Sequence, residues 1–329
     1  MSTRKVGIVG AGFIAKVHAR AWAAIGLAPA AFLYAEPNIE EMLGYGATPF
    51  EQLEPFLDAV DVVDICAPTH LHAEFALAAA AAGRATICEM PLCLTTAEGR
   101  HVLEAFERAQ VPLGVGHQLR FTPEYRRARE AVMEGRIGTL AVLRLARLSF
   151  APKRGPDSWY ADAAKSGGIF FDLMIHDLDY ARWVGGEVSS VFARLARGPR
   201  AHAIALLQHS NGAITHVEAS WAQPEPVFRT SFEIAGSTGI VSFDSDDTAP
   251  LVTRFHHAQA LRTTGFGQVE MAANPFVLEL AHFVDVVQGR AEAIMSGMDG
   301  VKAVEIAAAC QESSATGKPV ALGIDGEDV

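Results

Sequence analysis

Val6-Gly7-Ile8-Val9-Gly10-Ala11-Gly12-Phe13-Ile14-Ala15 is the stretch from which the fold can be read. Val6–Val9 is a continuous apolar run of the kind that makes a strand buried on both faces, and the pattern from about Phe13 to Ala24 is helical. Gly10 and Gly12 stand in the turn between the two. The spacing is G-x-G-x-x-A: one glycine for a tight turn, a second that lets the backbone approach a ligand, and a small residue, Ala15, where helix and strand pack closely. The N-terminus of such a helix carries partial positive charge and free N–H groups, a ready seat for a pyrophosphate. Gly10, Gly12, Phe13, Ile14 and Ala15 are therefore the candidate dinucleotide-binding residues. An ordinary tight turn is the alternative reading.

Outward from this stretch the same alternation continues. Apolar runs at Ala30–Tyr34, Val60–Cys66, Ala85–Cys88 and Leu113–Gly116 are separated by helical patterns, notably Leu71–Ala82 and Thr96–Ala109. Strand and helix in turn imply an α/β fold, a Rossmann-like doubly wound parallel sheet with helices on both faces. Glu36, 21 residues beyond Ala15, stands close to where an acid would hydrogen-bond the adenosine ribose. A carboxylate there repels a 2′-phosphate, and no Arg follows to receive one, so NAD is favoured while NADP stays possible. An exposed loop glutamate is the competing reading of Glu36.

After Leu119 the texture changes. A helical stretch, Pro123–Glu134, leads into alternating segments at Leu140–Leu148, Val188–Leu195, Ala201–His209, Ala213–Trp221, Phe228–Ala235 and Gly239–Phe243. Their spacing predicts an α+β domain with a largely antiparallel sheet. Pro275–Gln288 and Val301–Ser314 read as terminal helices, with Gly317 and Pro319 as the stop. The expected division is a dinucleotide-binding domain over 1–118 and a second domain over 119–329, its terminal helices free to pack back on the first domain. Thr248–Val269 has no assignable pattern.

Composition narrows the function classes. At roughly 100–200 residues per domain, 329 residues suit two domains with full cores. Lys and Arg number 27 against 38 Asp and Glu, a formal charge of −11, which disfavours a nucleic-acid partner. No apolar stretch approaches the roughly 18 residues of a membrane span, and Met1–Lys5 has no signal-like character, so a cytoplasmic protein is expected. Cys66, Cys88, Cys93 and Cys310 lack metal or disulfide spacing and read as reduced thiols. His70-x-His72 and His256-His257 have no third ligand at suitable spacing, and no metal is expected.

Further motifs then follow in order: Ala67-Pro68-Thr69-His70-Leu71-His72, Cys88-Glu89-Met90-Pro91-Leu92, Arg120-Phe121, and Gly167-Gly168 leading to Asp172 and His176-Asp177-Leu178-Asp179. With the glycine fingerprint they resemble the glucose–fructose oxidoreductase / inositol dehydrogenase (Gfo/Idh/MocA) family over nearly the whole chain. The resemblance implies an NAD(P)-dependent enzyme acting at a C–OH or C=O carbon of a sugar, polyol or related small molecule. It also implies that the second domain, over 119–329, serves substrate binding and oligomerisation, with an open-faced C-terminal sheet through which a homodimer or homotetramer forms. Pro68, Thr69 and His72 would lie around the cofactor, Glu89 near its nicotinamide ribose, and Asp172 and His176 at the acid–base positions. The family's Glu-Lys-Pro reads Glu89-Met90-Pro91 here, and methionine carries no charge and moves no proton.

Proton transfer must therefore come from other groups. Asp172 and His176 are four apart in a helical pattern, on one face, where the carboxylate can orient the imidazole and raise its proton affinity. His176 is the candidate proton donor and acceptor. Lys165, Arg120 and His117 are candidates for the lost positive charge, and Trp159, with Tyr160, for stacking on a sugar face. Met90 keeps two other readings open: a nicotinamide- or sugar-binding regulatory protein, and a redox-assisted lyase or glycosidase that retains its NAD.

Overall fold

A computed structural model describes residues 4–33, 43–152, 155, 158–196, 198, 200–246, 251–255 and 274–323. Contacts divide the chain into two units. The first comprises Met1–Phe121, Asp162–Ser166 and Ala273–Val304, the second Thr122–Ala161, Gly167–Ala272 and Glu305–Val329.

The first unit is built on a parallel six-stranded sheet. Its strands are β1 (Val6–Val9), β2 (Ala31–Leu33), β3 (Thr48–Phe50), β4 (Val62–Ile65), β5 (Ala85–Glu89) and β6 (Leu113–Gly116), in the order β3-β2-β1-β4-β5-β6. Every residue of β1, β4 and β6 is buried, as strands covered on both faces require. The helices are α1 (Phe13–Ala24), α2 (Leu53–Ala59), α3 (His72–Ala81) and α4 (Thr96–Ala109). Thr95 and Glu98 form a reciprocal capping box at the start of α4, and Gly99, Val102 and Phe106 make its buried face. β3 was not foreseen: it is short, lies at the sheet edge, and contains Pro49, which only an edge strand tolerates. A late helix of the chain, α8 (Pro275–Val287), inserts Leu280 and Phe283 into the core of this unit. Gly114 makes room for Phe283, since a Cβ there would stand 2.9 Å from its ring.

The second unit carries an eight-stranded sheet. Its strands are β7 (Leu140–Leu148), β8 (Val188–Ala196), β9 (His202–His209), β10 (Ile214–Ser220), β11 (Arg229–Gly236), β12 (Gly239–Asp244), β13 (Leu251–Phe255) and β14 (Val320–Ala321). They lie in the order β13-β12-β11-β7-β10-β9-β8-β14. All pairs are antiparallel except β7 with β10, so the sheet is mixed. β9 shows the two-sided pattern most plainly: Ala203, Ala205, Leu207 and His209 are buried, while Ile204 and Leu206 are exposed. Against the buried face pack α5 (Pro123–Met133) and α7 (Ile175–Gly185). α6 (Ala163–Ser166) is a single turn grouped with the first unit, and α9 (Gly297–Thr316) contributes residues to both.

The uninterrupted α-helix expected through Asp172 and His176 requires correction. Phe170–Met174 is π-helical and only from Ile175 does the chain become α-helical. The wider i→i+5 turn follows Gly167 and Gly168, both with positive φ, and such π-turns recur at functional sites. At Gly167 a Cβ would press to 2.4 Å from Phe171 Cβ, so the entry to this segment demands glycine.

Beneath the second sheet, Arg147 of β7 and Asp177 of α7 are both buried and joined by two bonds, Nε to Oδ2 at 2.7 Å and Nη2 to Oδ1 at 3.2 Å. Such a pair is costly to break from one side, because the other charge is stranded in the interior. Arg147→Ala is expected to lower the stability of this unit by about 3–5 kcal/mol, whereas Arg147→Met with Asp177→Leu costs less. Chemical denaturation of the three proteins checks this; equal losses would contradict it.

Candidate functional site

In the first unit the sheet reverses its strand order at β1, which has β2 on one side and β4 on the other. Ligands of open parallel sheets bind beyond the C-terminal strand ends at this point. Gly10 leaves β1 with φ +114°, and a Cβ on it would lie 2.5 Å from the Cys66 carbonyl at the end of β4. Gly12 is different: its φ of −75° suits any residue, and a Cβ there would meet no protein atom within 4 Å. Protein packing thus gives no reason for a glycine at 12, whereas a ligand lying against the turn does. α1 begins there with no side-chain cap and no acidic residue in its first turn. Its leading N–H groups and dipole are left for an anion. Ala15 is fully buried, Ile14 is partly buried against the core, and Phe13 is 79% exposed at the mouth of the turn. The residues present fit a dinucleotide. Glu36 lies outside the described residues.

The loops beyond β4 and β5 flank this turn. A 3-10 turn, Thr69–Leu71, follows Pro68, and Thr69 is buried. His72 is buried too, its Nδ1 2.8 Å from the Pro91 carbonyl and its Nε2 2.8 Å from the Ala67 carbonyl. It therefore ties the two loops together. Burial holds its pKa below the usual imidazole value. Glu89 ends β5, where its Oε2 accepts from the Met90 N–H at 3.1 Å, and Gly116 of β6 lies against the carboxylate. Met90 itself is half-buried.

Sequence reasoning missed what stands behind Glu89. His18, on the buried face of α1, has Nδ1 2.9 Å from Asp64 Oδ2 and Nε2 2.8 Å from Glu89 Oε1. Trp22 Nε1 donates to Asp64 Oδ2 at 2.7 Å and the Cys66 thiol donates to Oδ1 at 3.4 Å. Burial works against a charge on His18, but Asp64 overcomes it and raises the pKa well above the usual value. His18, Asp64 and Cys66 are also the one set among the described residues whose atoms are grouped closely enough for a metal ion. Three donors already converge on the Asp64 carboxylate, which is the arrangement of a hydrogen-bonded anion. The usable signal was an aspartate inside the apolar β4 run and a histidine on the apolar face of α1.

The cationic and imidazole candidates Arg120, His117 and Lys165 fall in different settings. Arg120 is buried and lies 3.1 Å from Asp299, with a second bond from its guanidinium to the Ile294 carbonyl. Burial alone would raise the Asp299 carboxyl, yet Arg120 and Ser296 hold it well below the usual carboxylate range. His117 is buried. Lys165 is exposed on α6, which packs against the Thr69–Leu71 turn. Partial burial and the Lys165 ammonium hold the His70 pKa below its usual value.

In the second unit, Asp172 and His176 are the only positions between Ile169 and Ala181 that are not buried. They form one polar strip on an otherwise buried segment. The Tyr160 hydroxyl donates to Asp172 Oδ2. Tyr160 also meets Trp159 edge-on at 5.5 Å and Trp221 at 6.1 Å, so three half-buried rings gather beside the carboxylate. Trp221, at the end of β10, was not among the sequence candidates. His256-His257 lie outside the described residues.

Comparison with known proteins agrees with this geometry. Residues 4–117 match the model of an oxidoreductase family with an NAD-binding Rossmann fold, and residues 125–242 that of the GFO/IDH/MocA C-terminal domain. Myo-inositol 2-dehydrogenase of Thermotoga maritima is 30% identical over 331 residues, 94% of this chain and 96% of the relative. Levoglucosan dehydrogenase of Pseudarthrobacter phenanthrenivorans is 30% identical over 98% of this chain and 94% of its own. A solved structure of levoglucosan dehydrogenase with NADH and levoglucosan has a TM-score of 0.85 at 27% identity, covering 97% of this chain and 99% of that one. The chain belongs to the GFO/IDH/MocA oxidoreductase family and carries that family's NAD-binding Rossmann fold.

Proposed function

We propose that the protein is an NAD-dependent dehydrogenase or reductase acting at a C–OH or C=O carbon of a sugar, polyol or related hydroxylated molecule. The observation that carries the substrate class is the strip of Asp172 and His176 flanked by Tyr160, Trp159 and Trp221. Aromatic faces accept the apolar C–H side of a sugar ring, and an acid hydrogen-bonds its hydroxyls. The dehydrogenases of inositol and levoglucosan among the relatives point the same way.

NAD, when bound, supplies the two-electron acceptor or donor. Gly10, Gly12 and the start of α1 seat its pyrophosphate, Pro68 and Thr69 line the neighbouring loop, and Glu89 with Met90 lies at the nicotinamide end. His176 takes the substrate hydroxyl proton in oxidation and returns it in reduction; Nδ1 is turned inward, so we assign the proton to Nε2. Asp172, held by Tyr160, orients the imidazole and a substrate hydroxyl. With Met90 in the lysine position, Lys165 is the candidate to stabilise the developing alkoxide, since Arg120 is already engaged by Asp299. The open face of the second sheet, with Ile204, Leu206 and Ile214 more than 40% exposed, is the surface we assign to a homodimer or homotetramer. Among the described residues no helix is long and apolar enough to cross a membrane.

Purified protein with NAD and NADP, assayed against a panel of inositols, sugars and anhydrosugars, tests the reading. Turnover with NAD supports it; none with any compound despite NADH binding favours a binding protein, and a burst of NADH without net consumption favours a lyase that retains its cofactor. His176→Ala is expected to lower kcat about 10²–10⁴-fold, the range for a general acid–base. Lys165→Met is expected to lower it about 10²-fold, as for a lost alkoxide stabiliser; an unchanged rate removes that residue's role. Gly12→Val should weaken NADH binding at least about tenfold by calorimetry with the thermal midpoint unchanged, because the new side chain occupies ligand space and meets no protein. Leu206→Glu should shift the protein to monomer in light scattering, and an unaltered mass would place the interface elsewhere.

A further inference from the structure

Glu89 stands at the end of a buried row of groups. Asp64 lies at the centre of β4, fully buried, with its oxygens occupied by Trp22 Nε1, the Cys66 thiol and His18 Nδ1. The far side of the His18 ring faces Glu89, Nε2 to Oε1 at 2.8 Å. Phe276 of α8 leans on the imidazole at 5.4 Å between centroids and fixes its plane. Glu279, one turn further along α8, is wholly buried, and neither of its oxygens has a hydrogen-bond partner among the described residues. The ionisable groups facing His18 are thus Asp64 and Cys66 from β4 and its end, Glu89 from β5 and Glu279 from α8.

Charge balance assigns the protons. An imidazole between two carboxylates is best satisfied as an imidazolium, here hydrogen-bonded to Asp64 through Nδ1 and facing Glu89 through Nε2 as an ion pair. Burial, and then the neighbouring Glu89 charge, push the Glu279 carboxyl well above its usual value. His18 stands between two carboxylates. Asp64 has three donors, whereas Glu89, 13% exposed, accepts from the Met90 N–H and meets His18 at ion-pair distance without hydrogen-bond alignment, which leaves lone pairs for a ligand.

We propose that His18, anchored by Asp64, is a positioning residue for cofactor binding, clamping the Glu89 carboxylate where it accepts from the hydroxyls of the nicotinamide-side ribose. The inference rests on the reading of Glu89 as a cofactor contact. It adds a component that acts from behind: His18 touches no ligand, and its effect passes through Glu89. Asparagine and glutamine separate the two halves of the clamp. At position 18, Asn keeps a polar group near the place of Nδ1 and loses the reach to Glu89; Gln reaches the place of Nε2 and keeps a polar group against Glu89.

The test measures NADH and ADP affinity by calorimetry for the wild type, His18→Asn, His18→Gln, Glu89→Gln and the double variant His18→Asn with Glu89→Gln. ADP contains the pyrophosphate but not the second ribose, so it reports the glycine turn alone. His18→Asn and Glu89→Gln should each weaken NADH about tenfold and leave ADP within about twofold, a tenfold change being about 1.4 kcal/mol. His18→Gln should recover most of the loss, and the double variant should be no weaker than Glu89→Gln. If Glu89→Gln leaves NADH unchanged, the cofactor reading of Glu89 fails and takes the inference with it. If Glu89→Gln weakens NADH but His18→Asn does not, or the two losses add, the inference alone fails. Should the His18 variants not fold, ¹⁵N NMR of the ring in the other two proteins decides. Both nitrogens protonated at pH 8 in the wild type, with the Nε2 resonance displaced in Glu89→Gln, is the expected result; a neutral ring in the wild type, or an Nε2 resonance unmoved in Glu89→Gln, overturns it.

Discussion

Close approach of the β1–α1 turn to the end of β4 is the constraint on which the first unit depends. Gly10 lies so near the Cys66 carbonyl that no side chain fits, and this contact brings the start of α1 to the strand ends. The helix then aims uncapped N–H groups at the place where strand order reverses, which makes that edge of the sheet attractive to a pyrophosphate. The same placement sets His18 and Trp22, one helical turn apart, over Asp64 of the next strand. A backbone requirement at one residue therefore positions both the ligand seat and the charged row behind Glu89.

The second unit solves a different problem. A segment that must be apolar to cover the sheet has to carry an acid and an imidazole to its surface. Between Ile169 and Ala181 every other position is buried, so Asp172 and His176 are held on a rigid strip rather than on a loop. Tyr160 donates to Asp172 and brings Trp159 and Trp221 to its flank, giving a carboxylate with an aromatic surround. Met90, which we read in the place of the family's lysine, belongs to the first unit. Lys165, next to the loop beyond β4, is where we place the substitute charge.

Much of the architecture was legible because it rests on periodicity. The limits of α1, α4 and β7 agree with their apolar patterns residue for residue, since each has a clear start and stop. β3 was missed because Pro49 argues against a strand unless its edge position is known. The π-turn over Phe170–Met174 was illegible for another reason: one shifted hydrogen bond leaves almost no trace in the pattern of apolar residues. Of the candidate site, the glycine turn could be read from local chemistry. The His18–Asp64–Glu89 row could not, because His18 and Asp64 are 46 residues apart and meet only through the sheet order. Arg120 looked available at the sequence level, and its commitment to Asp299 depends on a helix far along the chain.

Isotope transfer tests the central claim most directly, since the account requires a carbon-bound hydrogen to pass between substrate and nicotinamide on this protein. The protein would be incubated with NAD and a mixture of carbon-deuterated inositols and sugars, and deuterium at C4 of the nicotinamide followed by mass spectrometry. The account expects deuterium to accumulate there. Saturated NAD with no deuterium transferred from any compound would contradict it.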